Sequence, residues 1–391
     1  MQRPTGKSIR GGRFVVQQPG RDGFAAFIPN PLPPQPSVNL GGELPDLLER
    51  ASRELGRLDS VTILLPDPGL FIYMYARKEA VLSSQIEGTQ SSLSDLLLVE
   101  SDSVPGVPIG DVREVLNYSA AMDHGLKRLA DDLPMSLRLI REIHGVLMHD
   151  VRGGHQTPGE FRRTQNWIGG SRPGNARFVP PPVHQMHDSL DNLEKFIHNA
   201  DPHIPLLIKA GLVHAQFETI HPFLDGNGRV GRLLITFMLY AEGALSQPLL
   251  YLSLYLKENR DEYYERLQRV RTHGDWEGWL AFYLRGIQVV ARQATNTARK
   301  IVALFERDRA RIHELGKAAS TALRVHDLLK RHAILSVAKG VKELGVAKQT
   351  ISAAVERLEH LGILREETGR LRNRNWIYRE YIDLLNAGTE G

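Results

Sequence analysis

The residues best suited to chemistry lie in one run, HPFLDGNGRVGR, from His221 to Arg232. An apolar stretch ends at Ile220, a His-Pro step follows, and a turn through Asp225, Gly226, Asn227 and Gly228 leads into a helix expected to begin around Arg229. Gly226 and Gly228 read as positions of positive φ, and a helix start behind them supplies free N–H groups and the positive end of a dipole. Together these make an anion nest. Arg229 and Arg232 stand three apart, so they share a helix face and can converge on one polyphosphate. Asp225 offers a hard oxygen of the kind that holds Mg²⁺ beside substrate phosphates and water. His221, with an ordinary pKa of about 6.5, is the natural base for taking a proton from a hydroxyl at neutral pH. A DGNG tetrapeptide alone is commonly a turn, and a His before Pro is commonly a cap or a core residue. It is the ordered combination that carries the functional reading, and no Gly-Lys-Ser/Thr follows that would make it a Walker A loop.

The elements that must position this run are mostly helical. Leu47, Leu48, Ala51, Leu55 and Leu58 recur at spacings of three and four, and similar segments follow at Phe71 to Ser84, Val112 to Ala130, Leu137 to His149, His187 to Asn199 and Pro205 to Ile220. Helices resume at Leu233 to Ala241, Asn259 to Thr272 and Trp276 to Leu315, the last expected to break or bend near Gly286. Gly- and Pro-rich runs, VRGGHQTPGEFRR and GGSRPGNARFVPPP, interrupt them, with a β-prone piece at Ala176 to Val179. The opening to Gly42, including PNPLPPQP, reads as an extended arm lying over the surface. After Gly316 the texture changes to short helices at Ala322 to Arg331, Ser336 to Leu344 and Gln349 to Leu361, then GILREETGRLRNRNWIYRE. That order predicts a helix-turn-helix followed by a β-wing.

Composition narrows the classes. The 391 residues are 42% hydrophobic and 24% charged, enough for sizeable cores in two or three units. With no cysteine there is no disulfide framework, thiolate metal site or cysteine nucleophile. No stretch approaches the roughly 18 apolar residues of a membrane span, which makes the cytoplasm the expected location and a membrane partner unexpected. A net charge of +4 and a pI near 9.2 point only weakly toward polyanions. Other histidines, among them His144, His149, His155 and His214, show no metal-ligand spacing.

The run from His221 to Arg232 resembles the Fic family, whose signature is HPFx(D/E)GNGRxxR, and every position of that pattern is present. PGEFRRTQNWIGG, ARFVPPP, VLNY and LYLSLYLKENRDEYY also resemble family segments, between Gly42 and Gln288. The resemblance implies a protein adenylyltransferase that moves AMP from Mg-ATP to a Ser, Thr or Tyr hydroxyl of a target protein or of itself, releasing diphosphate. His221 would deprotonate the hydroxyl and Asp225 would hold Mg²⁺. Gly226, Asn227, Gly228, Arg229, Val230, Gly231 and Arg232 would bind ATP, with Phe223 as a buried anchor. Gly174, Asn175, Ala176, Arg177 and Phe178 resemble the flap that docks a target backbone by β-augmentation. Tyr251 and Asn259 would meet adenine and ribose, although Tyr251 reads equally well as a packing residue. Ser83, Glu87 and Gly88, in AVLSSQIEGTQSSL, match the family's inhibitory pattern, in which the glutamate pairs with Arg232 and contests the ATP γ-phosphate site.

The fold expected is therefore mainly α: a Fic helical core with a short β-hairpin flap, plus a C-terminal winged helix-turn-helix domain. The divisions are 1–110 for an N-terminal region with the inhibitory helix, 111–290 for the catalytic domain, 291–320 for a connecting helix and 321–391 for the winged unit. Between Leu323 and Arg379 there are 12 Lys/Arg against 6 Asp/Glu. Lys348, Gln349 and Thr350 could face a DNA groove, with Arg370, Arg372 and Arg374 along the wing. Protein docking and homodimerisation are the other uses of such a unit. The rival readings are a DNA-binding regulator with a nucleotide-sensing Fic domain, transfer of another phosphate-containing group, and removal of AMP.

Overall fold

In the computed structural model, residues 10–17, 23–64, 68–93, 95–96, 108–151, 157–199, 203–366 and 374–386 are described. Where the sequence predicts an extended arm, two strands, β1 (Gly12–Gln17) and β2 (Phe24–Pro29), form an antiparallel hairpin with Phe14 opposite Phe27. The reason is aromatic burial. Phe14 and Phe27 meet edge to face with centroids 5.0 Å apart, and Phe27 lies 6.1 Å from Phe178. The Phe27 amide donates to the Val179 carbonyl at 2.9 Å, so the hairpin is bonded to the segment read as a flap. Arg10 ties the same region down by pairing with Glu277 at 2.7 Å.

Helices follow: α1 (Leu44–Leu64), α2 (Pro68–Ile86), α3 (Ile109–Ala130), α4 (Leu137–Leu147), α5 (Val183–His198), α6 (Leu206–Ile220), α7 (Asn227–Ala241), α8 (Ser253–Glu258), α9 (Arg260–His273) and α10 (Trp276–His313). The spacing of Leu44, Leu47, Ala51, Leu55, Leu58 and Val61 gives α1 one buried face, which packs along α10. Ser136 and Asp275 start α4 and α10 by accepting the amides of Leu139 and Gly278. At 38 residues α10 is about 57 Å long. It remains helical through Gly286, where the sequence predicts a break: a Cβ there would lie 2.7 Å from the Tyr255 ring, so the glycine makes room for a packed side chain.

Beyond α10 come α11 (Ala319–His332), β3 (Ile334–Ser336), α12 (Val337–Leu344), α13 (Lys348–His360), β4 (Arg365–Glu366), β5 (Asn375–Ile377) and α14 (Arg379–Asn386). The sheet is antiparallel in the order β3-β5-β4, with Leu335 and Glu366 both opposite Trp376. Arg370 and Arg372 lie outside the described residues. The buried Asp308 of α10 accepts from Tyr378 at 2.7 Å, and Arg307 pairs with Glu380 at 2.7 Å, joining this unit to α10. One hydrophobic core runs from Leu44 to Leu385, so packing continues across the divisions expected at 110, 290 and 320. No described helix is long and apolar enough to cross a membrane.

Candidate active site

The site is built at the end of one buried helix and the start of another. α6 is apolar almost all round and ends at Ile220, and His221 follows in the left-handed conformation at φ 49°. A non-glycine residue holds that geometry only when its surroundings impose it. Here Arg162 Nε donates to the His221 carbonyl at 3.0 Å and Asn166 Nδ2 donates to it at 3.2 Å. The His221 ring is mostly buried, with 19% of its side chain exposed. Burial, then the charges of Arg271 and Arg162, pull its pKa down to about 3, so the imidazole is neutral at ordinary pH.

The turn is closed by Asn227, whose Oδ1 accepts from the Phe223 amide and whose Nδ2 donates to the Phe223 carbonyl, both at 2.8 Å. Its side chain is thus structural, and its place at the first position of α7 leaves the backbone to serve a ligand. Gly226 has φ 78°, as expected of the turn. Gly228 differs from the expectation: it lies inside α7, which begins at Asn227 rather than near Arg229. Its role is steric, because a Cβ there would collide with the Glu87 carboxylate. The first-turn amides of α7 have no intrahelical acceptor, which makes the anion nest.

His144, which the sequence left without a role, joins three elements here. Its ring stacks on Phe223 at 3.7 Å, Nδ1 accepts from the Gly159 amide at 2.9 Å, and Nε2 stands 3.1 Å from the Asp225 carbonyl. Since Nδ1 accepts, Nε2 carries the proton and donates to Asp225. Burial lowers this histidine to about 4, which keeps that neutral arrangement.

The two motif arginines diverge instead of converging. Arg229 Nη1 reaches Glu114 of α3 at 3.2 Å, and Nη2 lies 3.8 Å from Asp225. Arg232 turns to α2: Nε donates to Ser83 Oγ at 2.8 Å, and Nη2 donates to the Ser83 carbonyl at 3.0 Å and to Glu87 Oε1 at 2.7 Å. The arginine side chain is 2% exposed and Glu87 36%. Burial pushes the Glu87 carboxyl up, but the charge and hydrogen bond of Arg232 outweigh it and hold the group below the usual carboxylate range. Gly88, at φ 103°, turns the chain out of α2 directly after Glu87.

Other expected positions fall less centrally. Val230 is fully buried core. Tyr251 is also buried, 5.1 Å from the Tyr75 ring and under the Lys78 ammonium at 4.6 Å, so it packs beneath α2 and offers no open face to a nucleoside. Asn259 sits between α8 and α9, with Nδ2 donating to the Tyr255 carbonyl at 2.9 Å. The flap is reduced to one antiparallel bridge, Ile168 with Phe178. Ala176 and Phe178 are buried, while Gly174, Asn175 and Arg177 are exposed. Asn175 Oδ1 shapes the turn by accepting the amides of Ser171 and Arg172. In the C-terminal unit Lys348, Gln349 and Thr350 are exposed at the start of α13, and Arg374 is exposed before β5.

Among the described residues no cluster of three or more His, Asp or Glu side chains could hold a metal unaided. Asp225 nonetheless fits Mg²⁺: its side chain is 47% exposed beside the nest, and Mg²⁺ takes most of its ligands from substrate phosphates and water.

Residues 46–127 match the Fic/DOC family N-terminal profile and residues 134–239 the Fic/DOC family profile. The protein adenylyltransferase Fic of Aedes aegypti is 31% identical over 219 residues, 53% of this chain and 40% of that protein. Its counterpart in Culex quinquefasciatus is 30% identical over 246 residues, 60% of this chain and 44% of that protein. The chain thus spans less than half the length of these curated relatives. In fold it is similar to a Fic family protein from Desulfovibrio desulfuricans, with a TM-score of 0.58 at 18% identity, covering 87% of this chain and 97% of that one. Both profiles fall on the elements that hold His221, Arg232 and Glu87, so the chain carries a Fic/DOC N-terminal region and a Fic/DOC domain.

Proposed function

We propose that this chain transfers AMP from ATP to a hydroxyl side chain of a protein, itself included, and that Glu87 restrains it. The observation that carries the reading is a neutral His221 at the end of α6, one turn before the free N-terminal amides of α7, with a buried guanidinium on that second helix. The hydroxyl proton passes to His221 as the oxygen forms a bond to the α-phosphorus. The bond from that phosphorus to the bridging oxygen breaks, and diphosphate leaves with the electron pair. The nest and the arginines stabilise the phosphate charge as it shifts. Mg²⁺ held by Asp225 would neutralise phosphate charge. The curated relatives named protein adenylyltransferase Fic support this chemistry.

Restraint follows from the ion pair. A carboxylate bonded to Arg232 occupies a phosphate ligand and repels the incoming anion. Incorporation of α-labelled AMP from Mg-ATP tests both parts, comparing wild type, Glu87→Gly and Glu87→Gly/His221→Ala. Glu87→Gly should exceed wild type at least about tenfold, or ~1.4 kcal/mol, and Glu87→Asp should give partial release. Equal incorporation by wild type and Glu87→Gly would sink the restraint, and loss of activity in Glu87→Gly would point instead to a direct role such as positioning water for removal of AMP. The exposed Lys348, Gln349 and Thr350 support DNA as a second partner, reached through a winged-helix reading of the C-terminal unit.

A further inference from the structure

We propose that Glu218 is the positioning residue of His221: its carboxylate accepts the Nδ1 proton and fixes the tautomer whose Nε2 lone pair is free to take the hydroxyl proton. The inference rests on the transfer reading above. Glu218 lies three residues before His221, on the last turn of α6, and His221 caps that helix in the left-handed conformation. Glu218 Oε2 is 4.0 Å from His221 Nδ1. Nδ1 and Glu218 Oε1 are both buried and, among the described residues, both lack a hydrogen-bond partner. An orphaned buried Nδ1 is costly unless an acceptor serves it, the Glu218 carboxylate comes within 4.0 Å of it, and catalytic hydrogen bonds are often long before substrate binds.

Neighbouring arginines act on the Glu218 carboxylate against its burial. Arg271 touches Glu218 through the main chain, donating Nη2 to its carbonyl at 3.0 Å and Nε to Thr219 Oγ1 at 3.2 Å. Burial is the largest influence and raises the group to about 7; the charge of Arg232 opposes it, Glu87 adds to the rise, and Arg271 again favours the ionised carboxylate. On the imidazole side, burial dominates, followed by Arg271 and Arg162, while the Glu218 main-chain carbonyl and then the charge of Glu87 act in the opposite sense. The ring is thus neutral, and a neutral imidazole carries its single proton on whichever nitrogen finds an acceptor. The motif also makes room for the carboxylate: a Cβ on Gly231 would lie 2.8 Å from Glu218 Oε1, so a side chain at that position would displace it.

The test uses the full chain. In the Glu87→Gly background, Glu218→Ala should lower kcat for AMP transfer at least about tenfold, since losing the group that sets the tautomer disables the base. KM for ATP should stay within about twofold. Glu218→Gln, which keeps an acceptor oxygen, should retain more activity than Glu218→Ala. A merely structural role would not move the second readout, the ¹⁵N tautomer of His221 in histidine-labelled protein without nucleotide. The expected result is a proton on Nδ1 in the parent and in Glu218→Gln, with loss of that preference in Glu218→Ala. A proton on Nε2 in the parent, or the same tautomer with and without Glu218, overturns the proposal. Should the Glu87→Gly parent itself transfer no AMP, the transfer reading fails, and the tautomer comparison still decides whether Glu218 sets the state of His221.

Discussion

Two junctions of this chain share a plan, a helix, a turn and a second helix opening with polar side chains, yet they treat those side chains in opposite ways. At the junction of α6 and α7, Arg229 and Arg232 are 3% exposed, and each meets a carboxylate, Glu114 or Glu87. At the junction of α12 and α13, Lys348, Gln349 and Thr350 stand in solvent, while Ile351, Val355 and Leu358 behind them are buried. The difference lies in what surrounds each helix. α7 packs against α2, α3, α4 and α6, so its polar side chains emerge into protein, whereas α13 packs on α11 and α12. A buried cation must be paired, so its partner competes with any ligand that needs it. An exposed cation is solvated and screened by salt. The first arrangement suits a switch and the second a diffuse attraction.

The sharpest way to break this comparison is to strand a buried charge. Glu114→Ala leaves Arg229 enclosed without its carboxylate, and thermal or urea denaturation should register a loss of about 3–5 kcal/mol. A cost below about 1 kcal/mol would mean that water or a rearranged neighbour serves Arg229. Next in size is the base: His221→Ala in the Glu87→Gly background should reduce AMP incorporation at least about 10²-fold with the fold intact. Transfer at the parental rate would remove His221 from the mechanism.

The restraint by Glu87 should be insensitive to pH near neutrality. Its carboxyl is held below the ordinary value in the folded state, so the stabilisation is complete above the ordinary carboxylate range and is lost only as pH falls through the depressed folded value. The ratio of Glu87→Gly to wild-type incorporation should therefore stay constant from about pH 6 to about pH 8. A ratio that collapses on mild acidification would show that protonation opens the lock. The smallest effect belongs to the exposed junction, where Lys348→Ala should change stability by no more than about 0.5 kcal/mol. If the unit binds DNA, neutralising Arg370, Arg372 and Arg374 together should flatten the salt dependence measured by fluorescence anisotropy.

Much of the site was legible because it is local. The turn between Ile220 and Asn227, the positive φ of Gly226 and the shared face of Ser83 and Glu87 follow from spacings of a few residues. Glu218 is equally local, three positions before His221 on an evident helix, but it stands outside the motif and carries no signal of its own. The hairpin at Phe14 and Phe27 is hidden in the sequence because Gly and Pro dominate the local signal, while Phe178 and Val179, far along the chain, pack and bond to it.

The sequence by itself determined the helical periodicity, the motif and the kind of chemistry the motif can perform, since side-chain type and short spacing fix which groups share a face. Only the tertiary structure decided which acceptor each buried cation would meet. Arg229 and Glu114 are separated by 115 positions, and Arg232 and Glu87 by 145. No local rule selects a partner across such distances; helix packing does, by bringing α2 and α3 against α7 and excluding the water that would otherwise have satisfied both charges.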